Sequence, residues 1–399
     1  MSNIIPIGPY MMGVKVETTS GTYIVPDTAT DFTWLAEAPT ISGGDRDRVD
    51  LDETNNMRSD DTYAYYLDRY KDVEVGLKIN FRNGKTDGNA AYSALLKSAG
   101  FTESSNSYSI TQEPATTVTL VLWDRNGGHY EQITGAFVES MSYNFSKDGA
   151  LVVDFSLKAM RRIIVMAGEL DGAITDSDTS FTVTNFKVLD GSNDVSITGL
   201  TIPVRIHDGT NLETITVTAY NRATQTVTAT RNATAYAFAD ETPIGGHTFG
   251  LDVDYLPEKN DYNVIGPHDW TFTYGGNSYC MRSASVAVET GLKFVELESC
   301  AAYSTKMVAG KIKVSGELTY IANNSSNILR ELADLKTEEL DGVITGGSVA
   351  NNIITITLSN MQLGEPTVTM SHGDVEERKL SYKCKASYNS IDNIVIAHS

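Results

Sequence analysis

Cysteine, proline and basic residues are scarce in this chain, and no apolar run is long. The 399 residues include 3 Cys and 10 Pro. Cys280, Cys300 and Cys384 all fall in the last third, and no Cys-x-x-Cys pair occurs. An odd number without that spacing argues against a disulfide framework and fits a reducing cytoplasm, with one bridge among the three left open. No stretch approaches the roughly 20 apolar residues that a membrane-spanning helix needs, so no membrane partner is expected. The start, Met1-Ser2-Asn3-Ile4-Ile5-Pro6, has no basic stretch leading into an apolar one, and no signal peptide is read. Lys and Arg number 31 against 51 Asp and Glu, a formal charge of −20. That charge favours solubility and disfavours contact with nucleic acid, and the basic, aromatic-interleaved patch of a nucleic-acid reader is missing.

Patterns that carry chemistry are also lacking. The histidines, His129, His207, His247, His268, His372 and His398, form no His-x-His or His-Glu-x-x-His pair. Asp176-Ser177-Asp178-Thr179-Ser180 opens like a calcium loop, but position six is Phe181 and position twelve is Lys187. An EF-hand needs Gly and a bidentate Glu there. Thr345-Gly346-Gly347-Ser348 lacks the Gly-Lys-Ser/Thr of a phosphate loop and reads as a turn. No Gly-x-Ser-x-Gly elbow occurs. Asp45 with Asp47, and Glu338 with Glu339, are the available paired carboxylates, and they read as solvated charge runs. No catalytic, cofactor-binding or metal-binding residue is assigned, and no enzyme is expected.

What is present is alternation. Val73, Val75, Leu77, Ile79 and Phe81 recur every second residue, as do Ile312, Val314, Leu318 and Tyr320 around Gly316. Residues 117–123 and 353–358 are rich in β-branched side chains. These read as strands with one buried face. Two segments read as helices. In the first, Asp87 or Asn89 caps, Tyr92, Leu95, Leu96 and Ala99 share a face, and Gly100 ends it. In the second, Ser325 or Ser326 caps and Ile328, Leu329, Leu332 and Leu335 form the stripe. Each follows an alternating strand and precedes a β-rich run, a turn and a last strand. The turns are Ser146-Lys147-Asp148-Gly149 and Ser371-His372-Gly373-Asp374. In the last strands Phe155 matches Tyr382, Leu157 matches Cys384 and Ala159 matches Ala386. The repeated order implies a duplicated β-domain carrying one helix.

Between the copies, residues 168–250 are rich in Thr, Asp and Val without helical period. Val204 and Ile206, the turn His207-Asp208-Gly209-Thr210, Thr214–Thr218, the turn Asn221-Arg222 and Thr226–Thr228 read as a small projecting β-meander. Gly43 to Asp61, dense in both charges, reads as a long exposed loop next to Tyr63, Tyr65, Tyr66 and Tyr70. A contact arm for a neighbouring subunit is the functional reading of that loop. The expected architecture is mainly β: a first copy over 1–167, the inserted module over 168–255 and a second copy over 256–399.

The repeated unit resembles the tube domain of long-tailed bacteriophages. The resemblance rests on Lys71–Phe81 followed by the helix at Ala90–Gly100, and on Gly310–Tyr320 followed by the helix at Asn327–Leu335. Gly346–Leu358 and Asn360-Met361-Gln362-Leu363 resemble the closing strands. It covers about residues 10–165 and 265–399. It implies a β-sandwich-like domain whose sheets join around a ring into an inner barrel. It also implies a virion tail component assembled in the host cytoplasm. Two fused copies imply homotrimeric rings of pseudo-sixfold symmetry, stacked into a tube that conducts DNA without binding it specifically. The resemblance further implies tape measure, tail terminator or baseplate proteins as partners. Part of the −20 charge is expected to line the lumen and repel DNA. The alternatives are a β-rich baseplate or adhesin binding module, and a carbohydrate-active enzyme, for which no convergent carboxylate pair is found.

Overall fold

A computed structural model describes residues 10–26, 31–51, 63–81, 92–110, 116–124, 130–191, 193–194, 196–231, 235–246, 264–295, 306–321, 339–350, 352–369, 377–385 and 393–399. The chain is nearly all antiparallel β. The first half runs β1 (Tyr10–Val16), β2 (Phe32–Trp34), β3 (Thr40–Ser42), β4 (Arg46–Leu51), β5 (Tyr63–Tyr70) and β6 (Val73–Asn80). Then come α1 (Ser93–Ser98), β7 (Phe101–Ser104), β8 (Ser107–Ile110), β9 (Val118–Asp124), β10 (Tyr130–Ser146), β11 (Val152–Ala159) and β12 (Arg161–Met166). The middle segment holds β13 (Gly168–Leu170), β14 (Ser180–Thr184), β15 (Lys187–Asp190) and β16 (Asn193–Asp194). It continues with β17 (Ile197–His207), β18 (Leu212–Asn221), β19 (Thr226–Thr230) and β20 (Pro243–Gly246). The second half runs β21 (Trp270–Tyr274), β22 (Asn277–Tyr279), β23 (Ser283–Glu289), β24 (Lys293–Val295) and β25 (Lys306–Val308). It ends with β26 (Lys313–Ile321), β27 (Leu340–Gly346), β28 (Ile354–Thr369), β29 (Glu377–Cys384) and β30 (Ile394–His398).

The ladders of the two halves correspond. β6 pairs with β11 and β11 with β10, as β26 pairs with β29 and β29 with β28. β10 also pairs with β9 and β12, as β28 does with β27 and β30. Leu77 lies opposite Phe155 and Val75 opposite Leu157; in the second half Gly316 lies opposite Tyr382 and Val314 opposite Cys384. The sequence match of Phe155 with Tyr382 therefore holds in both registers, while Ala386 lies outside the described residues. The size exchange is compensated: where one half sets Leu against Phe, the other sets Gly against Tyr. A Cβ at Gly316 would lie 2.5 Å from the Tyr382 hydroxyl and run into the Ser285 carbonyl oxygen. Gly316→Val is expected to cost about 3 kcal/mol or more, read by urea denaturation, because both obstacles sit in a packed sheet.

β10 and β28 are the long strands, 17 and 16 residues. β10 passes from one sheet layer to the other across β-bulges between Ile133 and Ala136 and between Val138 and Ser140, and β28 changes partners across an irregularity between Leu358 and Met361, ahead of a second one between Leu363 and Pro366. The first β10 bulge is anchored. The buried Glu17 carboxylate accepts hydrogen bonds from Gly135 N (2.9 Å), Gly21 N (2.7 Å), Thr117 Oγ1 (2.6 Å) and Thr119 Oγ1 (2.9 Å). Glu17→Leu would strand four donors, and an expected loss of about 2–4 kcal/mol can be checked by the shift in urea midpoint.

One hydrophobic core spans both halves, from Val73, Leu77, Leu96 and Phe155 to Val286, Leu318, Ile356 and Ile396. The halves are thus fused through a common core. Tyr92, Leu95, Leu96 and Ala99 are all buried, and α1 ends where Gly100 takes φ 89°. α1 starts at Ser93 without a side-chain cap. Asp87, Asn89, the whole second predicted helix and the turn at 371–374 lie outside the described residues. Cys280 and Cys384 are free thiols, and Cys300 lies outside the described residues.

Two expectations are corrected. Gly43 to Asp61 is not simply a loop: β4 within it pairs with β5, from Arg46 opposite Tyr70 to Leu51 opposite Tyr63. Backbone pairing absorbs its charged residues into a hairpin, which local composition does not reveal; its tip, 52–62, lies outside the described residues. The middle segment is more than a projecting meander. β17, β18 and β19 form one, but β14, β13 and β20 close it into a six-stranded barrel. Its core is continuous with the first half through Met11, Phe32, Val121, Tyr130, Ile163 and Val165. Inside it Arg231 grips Glu213 with two hydrogen bonds (3.0 and 2.6 Å), and Tyr236 N donates to the same carboxylate (3.0 Å). Both side chains are almost wholly buried, which such a charge pair tolerates only when its remaining polar atoms are satisfied.

Candidate functional site

The feature that stands out is a sheet, not a pocket. β3, β6, β11 and β10 of the first half lie side by side, and so do β23, β26, β29 and β28 of the second. β10 then pairs with β23, from Ser140 opposite Glu289 to Ser146 opposite Ser283. Lys147 N donates to Arg282 O (3.0 Å) at one end of this seam, and Thr290 N to Glu139 O (3.0 Å) at the other. The two halves therefore form one eight-stranded layer joined by seven backbone pairs.

One face of this layer is core. Val75, Leu157, Met141, Val288, Val314 and Leu363 point inward along it and are buried. The other face meets solvent. Among its described residues are six carboxylates, Glu74, Glu139, Asp154, Glu289, Glu317 and Glu377, and five lysines, Lys78, Lys158, Lys313, Lys379 and Lys383. Hydroxyl and amide side chains are frequent among the others, Ser140, Ser142, Asn144, Ser156, Ser285 and Ser381, beside Val152, Ala287 and Ile321. Opposite charges pair across strands, as in Lys313–Glu289 at 2.9 Å and Lys158–Glu139 at 3.1 Å, and Lys78 reaches Glu37 in the β2–β3 connection at 2.6 Å. Asp154 accepts from Asn144 Nδ2 (2.7 Å), and partial burial raises its pKa above the usual carboxylate value. The −20 charge is not concentrated on this face.

The layer ends in two edges. β3 pairs with β6 only, and the end of β28, Gln362–Thr369, pairs with β29 only; among the described residues no strand pairs with either outer side. The two edges correspond to the strands that meet at the inner seam. By ladder register, Thr40, Ile41 and Ser42 occupy the places of Ala287, Val288 and Glu289, and Gln362 and Leu363 those of Ser140 and Met141. Exposed edges invite uncontrolled pairing, and proline blunts them. Pro39 precedes β3, and Pro366 lies within β28. Val368, beside Pro366, is an exposed large apolar side chain. The proline inside an otherwise β-rich run was the sequence signal for an edge strand, and it was missed.

The remaining sequence candidates serve local structure. Asp178 accepts from Thr175 N (2.6 Å) within its own turn, which holds its carboxyl below the usual pKa. Phe181 and Lys187, at the would-be calcium positions, belong to β14 and β15. Gly347 turns at φ 90° after β27, and Glu339 pairs with Lys385. The side chain of Asp47 and the whole of Glu338 lie outside the described residues. Among the described residues, no group of His, Cys, Asp and Glu is placed to hold a metal ion.

Geometry defines this chain as a nearly all-β protein with an eight-stranded layer, two matched edges and a fused accessory barrel. No family model and no curated protein matches it. Among solved structures, it is similar to the tube-terminating cap of the anti-feeding prophage, at 14% identity over 35% of this chain and 93% of that one, with a TM-score of 0.28. That likeness is too slight to carry fold or function; the fold rests on the ladders above.

Proposed function

We propose that the chain is the ring-forming subunit of a phage tail tube. The observation that carries this reading is the seam between β10 and β23, together with the matching edges at β28 and β3. Repeating the internal junction between chains brings β28 of one chain against β3 of the next. Three chains of eight strands then close a barrel of twenty-four, and closure removes every edge. With strands about 4.8 Å apart and tilted about 40°, such a barrel spans about 45–50 Å between opposite backbones. A double helix passes through that bore.

The solvent face of the layer becomes the wall of the bore. Its lysines are matched by carboxylates, so no cluster of unbalanced cations is there to hold phosphates as DNA slides. Stacked rings, joined to tape measure, terminator or baseplate proteins, complete the tail. The role is structural rather than catalytic. The direct test is electron microscopy of the purified chain: hollow filaments are expected. Discrete globules at all concentrations would favour a baseplate or adhesin module instead.

A further inference from the structure

The two halves differ in how their closing strands are covered. β30 corresponds to β12: each pairs with the first part of the long strand of its half. In the second half the outer edge of β30 is covered by the first half's β8, with Ile396 opposite Tyr108 and Ala397 opposite Ser107. β8 is one arm of a hairpin with β7. The intrachain seam is therefore double, with β10–β23 in one layer and β8–β30 in the other.

At β12 the corresponding edge is already occupied. Ile163 lies opposite Asp190, Ile164 opposite Leu189 and Val165 opposite Val188, all in β15 of the inserted segment. β15 is itself one arm of a hairpin, with β16, turning at Gly191 with φ 61°. Arg161 on β12 grips Asp190 with two hydrogen bonds, 3.2 and 3.0 Å. The second half leaves far less chain for a hairpin of its own. The first half has residues 81–117 between β6 and β9, and the second only 322–339 between β26 and β27.

We propose that the inserted segment is a seam cap. Its β15–β16 hairpin takes, within the chain, the place at β12 that a neighbouring chain would otherwise have to fill. Resting on the ring reading, this makes the two kinds of seam unequal. Within a chain, halves join through both layers. Between chains, only the inner layer pairs, by β28 and β3, while the outer layer of the first half is sealed by its own insert. The barrel fused to that hairpin then stands beside every chain-to-chain junction and faces the second half of the neighbouring copy. A sealed outer edge also leaves the free chain one adhesive edge pair instead of two, which limits mispairing before assembly.

Hydrogen exchange with peptide-level readout, on the full chain below and above its assembly concentration, tests this. Amides of Ile163–Met166 are expected to be protected in the free chain and to change less than twofold on assembly. Amides of Thr40–Ser42 and Gln362–Gly364 are expected to slow at least tenfold. Fast exchange at β12 in the free chain, or a tenfold slowing there on assembly, would overturn the cap while leaving the ring intact. A chain that forms tubes without slowing at Thr40–Ser42 and Gln362–Gly364 would overturn the ring pairing and the cap with it, as would a chain that never assembles. The double variant Lys187→Pro, Asp190→Ala adds an independent arm, because it loosens β15 from β12 without touching the ladders that close the barrel. It is expected to speed β12 exchange at least tenfold with the Thr214–Thr218 amides unchanged; an unchanged β12 would contradict the cap.

Discussion

A chain carrying cysteine at positions 42 and 362, with Cys280, Cys300 and Cys384 replaced by serine, is expected to link covalently to its neighbours on oxidation and to stop at trimers. The register of the internal seam dictates the pair. Ser140 lies opposite Glu289 within the chain, and Gln362 and Ser42 hold the corresponding places on the open edges. Opposed residues in an antiparallel pair have Cα atoms about 4.5–5.5 Å apart, inside the range a disulfide bridges. Both side chains are on the solvent face, where neither core packing nor the glycine contacts would be disturbed. Most of the chain should run as closed trimer on a non-reducing gel, with dimer as the intermediate and neither single variant giving the trimer. A ladder that continues past three, or tubes that form without any linkage, would show that β28 and β3 do not meet in this register.

The second large effect is acid sensitivity centred on His398. The ring is buried, 3% exposed, at the end of β30, where the second half covers the first. It stacks on Phe81 with centroids 5.5 Å apart and meets Tyr108 edge-on at 5.5 Å. Burial pushes its pKa down to about 3, because the imidazolium would lose its hydration among aromatic rings. The sign follows. An unfolded histidine takes up a proton near pH 6.5 and the folded one does not until about pH 3, so the unfolded state binds more protons between those values. The stabilisation is complete above about pH 6.5 and is lost as pH falls toward 3. At pH 4.5 this one group should have cost about 2–3 kcal/mol relative to pH 8. Urea denaturation at the two pH values should show that loss, and His398→Phe should reduce it by most of that amount. Equal losses in both proteins would mean that the acid sensitivity arises elsewhere.

Local features of the sequence carried far. Alternation at Val73 to Phe81 gave a strand with one buried face because each face of a half-covered sheet meets a single environment along its length. The match of Phe155 with Tyr382 survived because the register of a core-facing ladder cannot slip by one residue without turning its apolar set outward. The helical face of Tyr92, Leu95, Leu96 and Ala99 was legible for the same reason of burial.

What failed was long-range pairing. Arg46 to Leu51 has the composition of a loop, and only its partner β5 makes it a strand. β13 and β20, with three and four residues, carry no period of their own, yet they close the barrel. The balance of charge on the solvent face was hidden as well. A net charge of −20 says nothing about placement, and the five lysines of that face are scattered over β6, β11, β26 and β29. The seam from Ser140 to Ser146 could not be read either, since β23 carries nothing that names β10 as its partner. Strand propensity reports fit to a pleated surface and not the identity of the neighbour.

The central claim is that the internal seam of one chain is repeated between chains, and counting chains around an assembled ring by electron microscopy tests it most directly. Three chains, contributing twenty-four inner strands with β28 against β3 at each junction, are the result expected. Six chains to a ring, or rings whose inner wall does not contain β10 beside β23, would contradict it.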